Sequence, residues 1–110
     1  MTAVIRIGRG RWGRGVLARR EIQPGEELCR NAVLLVPHDE VGPFLGRYTF
    51  SFSSRSSGLI MGAISFCNHS TSPNAEVHEC ADRRTLRLVA CAPIAPGEEV
   101  FIDYGYEPDE

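Results

Sequence analysis

The sequence predicts one mostly-β domain over residues 1–110, and three observations carry that prediction. Seven prolines and eleven glycines in 110 residues break the chain too often for long helices. The apolar runs are short and separated by turn residues. A Pro-Gly corner also occurs twice: Ile22-Gln23-Pro24-Gly25-Glu26-Glu27-Leu28 is echoed by Ile94-Ala95-Pro96-Gly97-Glu98-Glu99-Val100. Pro followed by Gly specifies a type II turn, so each copy should reverse the chain into a strand. Two copies are too few for a solenoid and read as two corners of one fold. The length suits a single modest core, and 43% hydrophobic with 24% charged residues is an ordinary globular balance.

Taken in order, Val4-Ile5-Arg6-Ile7 reads as a strand, Gly8 to Gly15 as a loop of high backbone freedom, and Val16-Leu17-Ala18 as a resumed strand. The glycines would let backbone N–H groups approach a ligand. The Rossmann spacing is absent. Ala32–Val36 is a continuous apolar run, expected to be a buried strand ended by Pro37. His38–Gly46 suits a loop or short helical turn. Tyr48-Thr49-Phe50-Ser51-Phe52-Ser53 alternates ring and hydroxyl, which aligns three rings on one face; Phe50 and Phe52 are expected in the core. Gly58–Ile64 is apolar, and periodicity does not decide between helix and strand. Glu76–Glu79 and Thr85–Ala90 flank Asp82-Arg83-Arg84 and read as a β-hairpin. Val100-Phe101-Ile102 is the last strand.

Charge and cysteine bound the rest. Residues 1–20 carry six arginines and no acid, whereas residues 98–110 carry six acids and no base. All twelve basic residues are arginine, so the chain has no lysine of its own. Cys29, Cys67, Cys80 and Cys91 are widely spaced with no C-x-x-C pair, as expected for reduced thiols of an intracellular protein. No apolar run is long enough to span a bilayer, and no signal-peptide core follows Met1. The expected location is intracellular: cytoplasmic, or nuclear in a eukaryotic or viral setting.

The stretch Phe66-Cys67-Asn68-His69-Ser70-Thr71-Ser72-Pro73-Asn74 places amide, imidazole and hydroxyl groups at the mouth of an apolar run. Such a set can hold a ligand by several hydrogen bonds. Taken alone it also reads as a polar turn whose asparagines bond their local backbone.

Three segments in order resolve this: Gly13-Arg14-Gly15-Val16-Leu17-Ala18, then Asn68-His69-Ser70 with Pro73-Asn74, then Gly97-Glu98-Glu99-Val100-Phe101-Ile102-Asp103-Tyr104. Together they resemble the signature of SET-domain protein lysine methyltransferases, across nearly the whole chain. The resemblance implies a β-clip fold of small curved sheets with a C-terminal pseudoknot, in which the N-H-S segment and the last segment cross. It implies S-adenosylmethionine as cofactor and protein-lysine methylation as activity, on a basic protein such as a histone or histone-like protein. By the same carry-over, Gly13, Arg14 and Gly15 meet the methionine part of the cofactor, Asn68 and His69 its amino-acid and adenine ends, and Tyr104 is catalytic while also touching the cofactor. Tyr48, Ile102 and Tyr106 would wall the lysine channel.

These roles make chemical sense. Methyl transfer to an amine is an in-line displacement in which positioning carries much of the rate. The amine must be neutral, and a narrow apolar channel lowers its pKa. Thr71 stands where many relatives have a zinc-binding cysteine, and no cysteine follows Cys91, so no metal is expected. Six residues follow Tyr104, where a longer segment usually completes the channel. The expectations are a wall supplied by a partner subunit, as in a homodimer, an open channel, or an impaired domain. Two other readings stay open: a non-catalytic SET-fold module that binds cofactor or a basic peptide, and an RNA-contacting β domain using the Gly/Arg loop. No direct nucleic-acid or membrane role is expected.

Overall fold

The computed structural model describes residues 3–105. Among the described residues, nine strands form two sheets. β1 (Ile5–Gly10), β2 (Gly13–Ala18), β6 (Asn68–His69) and β9 (Glu99–Ile102) make a sheet of order β1-β2-β9-β6. β3 (Glu27–Pro37), β4 (Thr49–Ser51), β5 (Ser56–Met61), β7 (Ala75–Glu79) and β8 (Thr85–Ala90) make a second, of order β4-β5-β3-β8-β7. The mostly-β expectation holds. The helical content is short: α1 (Gly42–Leu45) and single 3-10 turns at His38–Glu40, Gly46–Tyr48 and Ala63–Phe66. Among the described residues, no helix is long and apolar enough to cross a membrane.

The two Pro-Gly corners behave as their chemistry requires. Gly25 and Gly97 take φ of 92° and 82°, the positive values that a type II turn needs at its third position. In each, the fourth residue donates back to the first: Glu26 N–H to Gln23 O at 3.1 Å and Glu98 N–H to Ala95 O at 3.0 Å. The two echoes also pair with one another. Ile22 and Ile94 exchange backbone hydrogen bonds of 2.9 Å in both directions, and both side chains are fully buried. Around them lie Val16 and Val100 from one sheet and Leu88 from the other, so the core sits where the corners bring the sheets together.

Several expectations need correction. The Gly8–Gly15 loop is mostly strand: β1 and β2 pair from Ile5↔Ala18 out to Gly10↔Gly13, leaving only Arg11 and Trp12 as the turn. The run Ala32–Val36 lies in a longer strand and is buried only at Val33, with Leu34 51% exposed. A strand in the middle of a sheet still shows its faces alternately, and one face here is open. Phe50 is not in the core either; it is 37% exposed, and its ring lies over Gly58, where any side chain would collide with it. Gly58–Ile64 resolves into the end of β5 followed by a 3-10 turn. The 75–79 and 85–90 hairpin forms as expected.

β9 is held on both sides. It runs antiparallel to β2 at Val16↔Val100 and parallel to β6 at Asn68↔Phe101 and His69↔Ile102, which is the expected crossing of the N-H-S segment with the C-terminal strand. Asn74 acts as a clamp on β9. Its Nδ2 donates to Glu99 O at 2.9 Å, and its Oδ1 accepts from Phe101 N–H at 2.8 Å. Its own carbonyl accepts from Cys91 N–H at 2.9 Å, which ties the clamp to the end of β8. These partners are distant in sequence, so Asn74 does not merely satisfy a local turn.

Asn74→Ala leaves a backbone donor and a backbone acceptor of β9 without their partners. It should destabilise the domain by about 2–4 kcal/mol, read from denaturant unfolding; a change under about 0.5 kcal/mol would show that water replaces the clamp freely. The cysteines give a second expectation. Burial in the core pushes the Cys67 thiol up to about 12, and burial first, then the nearby Glu27 charge, pushes Cys29 up to about 11. Cys91 is exposed. A thiol reagent near pH 8 should therefore label Cys91 ahead of Cys67, which needs unfolding to react; mass spectrometry finding Cys67 labelled first would contradict this packing.

Candidate functional site

The parallel pairing of β6 with β9 gathers the candidate residues. The backbone N–H of Tyr104 donates to His69 Nδ1 at 2.9 Å, and the two rings lie 5.0 Å apart. Because Nδ1 accepts, the ring proton of the neutral imidazole sits on Nε2. The 3.7 Å separation of Nδ1 from Asp103 Oδ1 is too long for a hydrogen bond. Asp103 instead accepts from Gly105 N–H at 2.8 Å, in a turn where Gly105 takes φ of 85°. His69 thus orients the chain that carries Tyr104, a contact the sequence does not suggest.

The Tyr104 hydroxyl donates to the backbone carbonyl of Cys67 at 2.6 Å. Thirty-seven residues separate the two. Both line a cavity of about 360 Å³, whose apolar wall includes Ile60, Ile64, Phe50 and Ile102. Tyr48 lines the same cavity, and so do Arg47, Asp103 and Glu79, the two acids each about half exposed and Glu79 paired with Arg83 at 3.1 Å. Tyr48, Ile102 and Tyr104 therefore line one cavity. Tyr106 lies outside the described residues.

Asn68 turns to the β1–β2 hairpin. Its Nδ2 donates to Arg14 O at 3.2 Å and to Glu99 Oε2 at 2.7 Å. Glu99 Oε1 accepts from the backbone N–H of Arg11 at 2.6 Å. Arg9, Gly10, Arg11, Gly13 and Arg14 line a shallow groove of about 530 Å³ on this hairpin. Gly13 takes φ of 113°, which the tight turn requires and which side chains disfavour. Gly15 has a different reason: a Cβ there would overlap the Glu99 carboxylate, as would one at Gly10. The Arg14 guanidinium lies 5.3 Å over the Phe66 ring, and Arg11 stacks at 4.8 Å on the exposed Trp12. Among the described residues, no three His, Cys, Asp or Glu side chains cluster as metal ligands.

Sequence reasoning missed two groups here. The Cys67 carbonyl was invisible because a backbone group leaves no signature in residue identity. Glu99 was legible only as part of E-V-x-x-D-Y, and its reach across to the hairpin needs the pairing of β9 with β2.

Comparisons with known proteins show the family to which this fold belongs. A family model described as SET domain matches residues 13–105. A histone-lysine N-methyltransferase set9 of Neurospora crassa is 31% identical over 96 residues, covering 81% of this chain and 12% of that protein. A histone-lysine N-methyltransferase SET9 of Gibberella zeae is 34% identical over 97 residues, covering 82% of this chain and 14% of that protein. The chain thus spans about an eighth of the length of the curated relatives it matches. Among solved structures, a Plasmodium falciparum chain solved as a candidate histone methyltransferase superposes with TM-score 0.82 at 24% identity, covering 97% of each chain. A chain of a ctPRC2 complex superposes with TM-score 0.79 at 21% identity, covering 100% of this chain and 16% of that one. With the family match running from the hairpin turn through Tyr104, the chain belongs to the SET-domain family.

Proposed function

We propose that this SET domain is an S-adenosylmethionine-dependent protein-lysine N-methyltransferase, acting inside the cell on a lysine of a basic protein such as a histone. The observation that carries the reading is the Tyr104 hydroxyl fixed on the Cys67 carbonyl, both residues lining a cavity with an apolar wall.

The residues beside β6 suit the cofactor. The hairpin groove offers arginines and backbone groups for a carboxylate, and Asn68 next to it offers an amide to the rest of the amino-acid end. Gly13, Arg14 and Gly15 are assigned to the methionine part, Asn68 and His69 to the amino-acid and adenine ends. When bound, the cofactor supplies a methyl group on a sulfonium, activated for displacement.

The chain's own residues do the rest. Asp103 attracts an ammonium-bearing side chain towards the cavity, whereas Glu79 is already paired with Arg83 at 3.1 Å and Arg47 stands on the same lining. Ile60, Ile64, Phe50 and Ile102 exclude water, which penalises the ammonium and favours the neutral amine. Asp103 helps the cation approach; the apolar wall then favours loss of its proton. With its own hydrogen committed to Cys67 O, the Tyr104 oxygen presents only lone pairs, so it can accept from the amine N–H and aim the nitrogen lone pair elsewhere. Tyr48 and Ile102 flank that position, and Tyr106 is assigned to the same channel.

Two measurements test this reading. Asn68→Ala should weaken S-adenosylmethionine and S-adenosylhomocysteine binding by about 1–3 kcal/mol in calorimetry. Folded wild-type protein that gives no heat with either would sink the proposal. Tyr104→Phe keeps the ring and removes the hydroxyl, so methyl transfer to a histone substrate should fall about 10²-fold or more with little change in cofactor affinity. Equal turnover would make the tyrosine structural. Cofactor binding by wild type without transfer to any basic protein or tail peptide would instead favour a non-catalytic binding module. The chain has no lysine, so label incorporated into the untagged protein would mean another acceptor.

A further inference from the structure

We infer that Glu99 is a positioning residue for the cofactor's α-ammonium group: seated in the slot left by Gly10 and Gly15, it fixes which end of the Asn68 amide is offered to the ligand. This deepens the reading that Asn68 holds the amino-acid end, and rests on it. A side-chain amide has two nearly isosteric orientations, and only its hydrogen-bond partners distinguish them. Here both partners are oxygens. Asn68 Nδ2 gives one hydrogen to Arg14 O at 3.2 Å and the other to Glu99 Oε2 at 2.7 Å. Turning the amide over would set Oδ1 against a carboxylate and a carbonyl, so the orientation is locked.

With both amide hydrogens committed, Oδ1 is the atom Asn68 has left, and it can only accept. The amino-acid end of the cofactor carries one group that only donates, the α-ammonium, and one that only accepts, the carboxylate. Asn68 is thereby set to read the ammonium, and the carboxylate is left to the arginine-lined hairpin. The negative charge of Glu99, one hydrogen bond behind Asn68, adds to the preference for a cation at Oδ1.

The seat of Glu99 is built for this. Its other oxygen accepts the Arg11 backbone N–H at 2.6 Å, and a methyl group at Gly10 or Gly15 would occupy the carboxylate's place. Two of the hairpin glycines thus serve a carboxylate from the far end of the chain. A carboxylate that only stapled the hairpin to β9 would not need Asn68 as its second partner.

The test is a ratio of affinities. The wild-type domain is titrated calorimetrically with S-adenosylhomocysteine and with its analogue in which hydrogen replaces the α-amino group. Glu99→Gln keeps the shape of the side chain but lets its amide face Asn68 either way. It should cut the wild-type preference for the amino compound about tenfold or more, as expected for losing a hydrogen bond to a charged group. Folding is checked by circular dichroism. If Glu99→Gln does not fold, Glu99→Asp, which keeps the charge but shortens the reach, should reduce the same preference. Loss of affinity equal for both ligands, or an unchanged preference, overturns the role of Glu99 while leaving the cofactor reading standing. Failure of wild type to bind S-adenosylhomocysteine overturns the cofactor reading and this inference with it.

Discussion

The structure depends on the placement of one four-residue strand, β9, between β2 and a two-residue strand, β6. Two residues of parallel pairing are weak by themselves, since a parallel ladder is slightly less stable per residue and β6 adds few bonds. Side chains supply what the ladder lacks. Asn74 extends it with an amide that behaves like an additional peptide group, and His69 catches the Tyr104 N–H just beyond the strand. Ser70 N–H adds a bond to Ile102 O at 2.9 Å. Everything at the site follows from that crossing: Tyr104 reaches Cys67 O, and Glu99 reaches Asn68 and the hairpin.

The legible parts of the fold were those decided by local chemistry. Pro24-Gly25 and Pro96-Gly97 announce their turns because φ at each residue is set by its own side chain or lack of one. That Ile22 and Ile94 would then pair with each other is a tertiary fact, invisible to a local rule. The Gly/Arg segment was misread for a related reason. Glycine signals backbone freedom, yet at Gly10 and Gly15 a carboxylate some ninety residues on occupies the space that a Cβ would take. Phe50 illustrates the opposite error. Its alternation with hydroxyl residues suggested a buried face, but β4 is a three-residue edge strand and that face borders the cavity.

The candidate site was legible to a different depth. Asn68, His69 and Tyr104 stand out because their side chains carry the chemistry, and the structure brings all three to the same crossing. What the sequence could not supply was direction. Asn68 looks to the hairpin and Tyr104 to the cavity, although the segments bearing them are hydrogen-bonded neighbours. The thiol of Cys67 is a further case: it catches the eye as a reactive group, yet it is buried with a raised pKa, while its unremarkable carbonyl holds the Tyr104 hydroxyl.

Register is the last constraint. Side chains alternate along a strand, so the order Glu99-Val100-Phe101-Ile102 sends Val100 fully into the core and Glu99 the other way, to the hairpin. A slip of one residue would drive the Glu99 carboxylate towards the core, where burying a charge without its partners is costly, and would bring Val100 out to the cofactor side. It would also shift Ile102 out of the cavity wall. Asn74 grips Glu99 O and Phe101 N–H, the two backbone groups that flank Val100. That grip forbids the slip at the point where it would do most harm. The asparagine that closes the N-H-S-x-x-P-N segment therefore need not touch any ligand to serve the site. It fixes which face of β9 meets the core, and by doing so fixes which residues are left for chemistry.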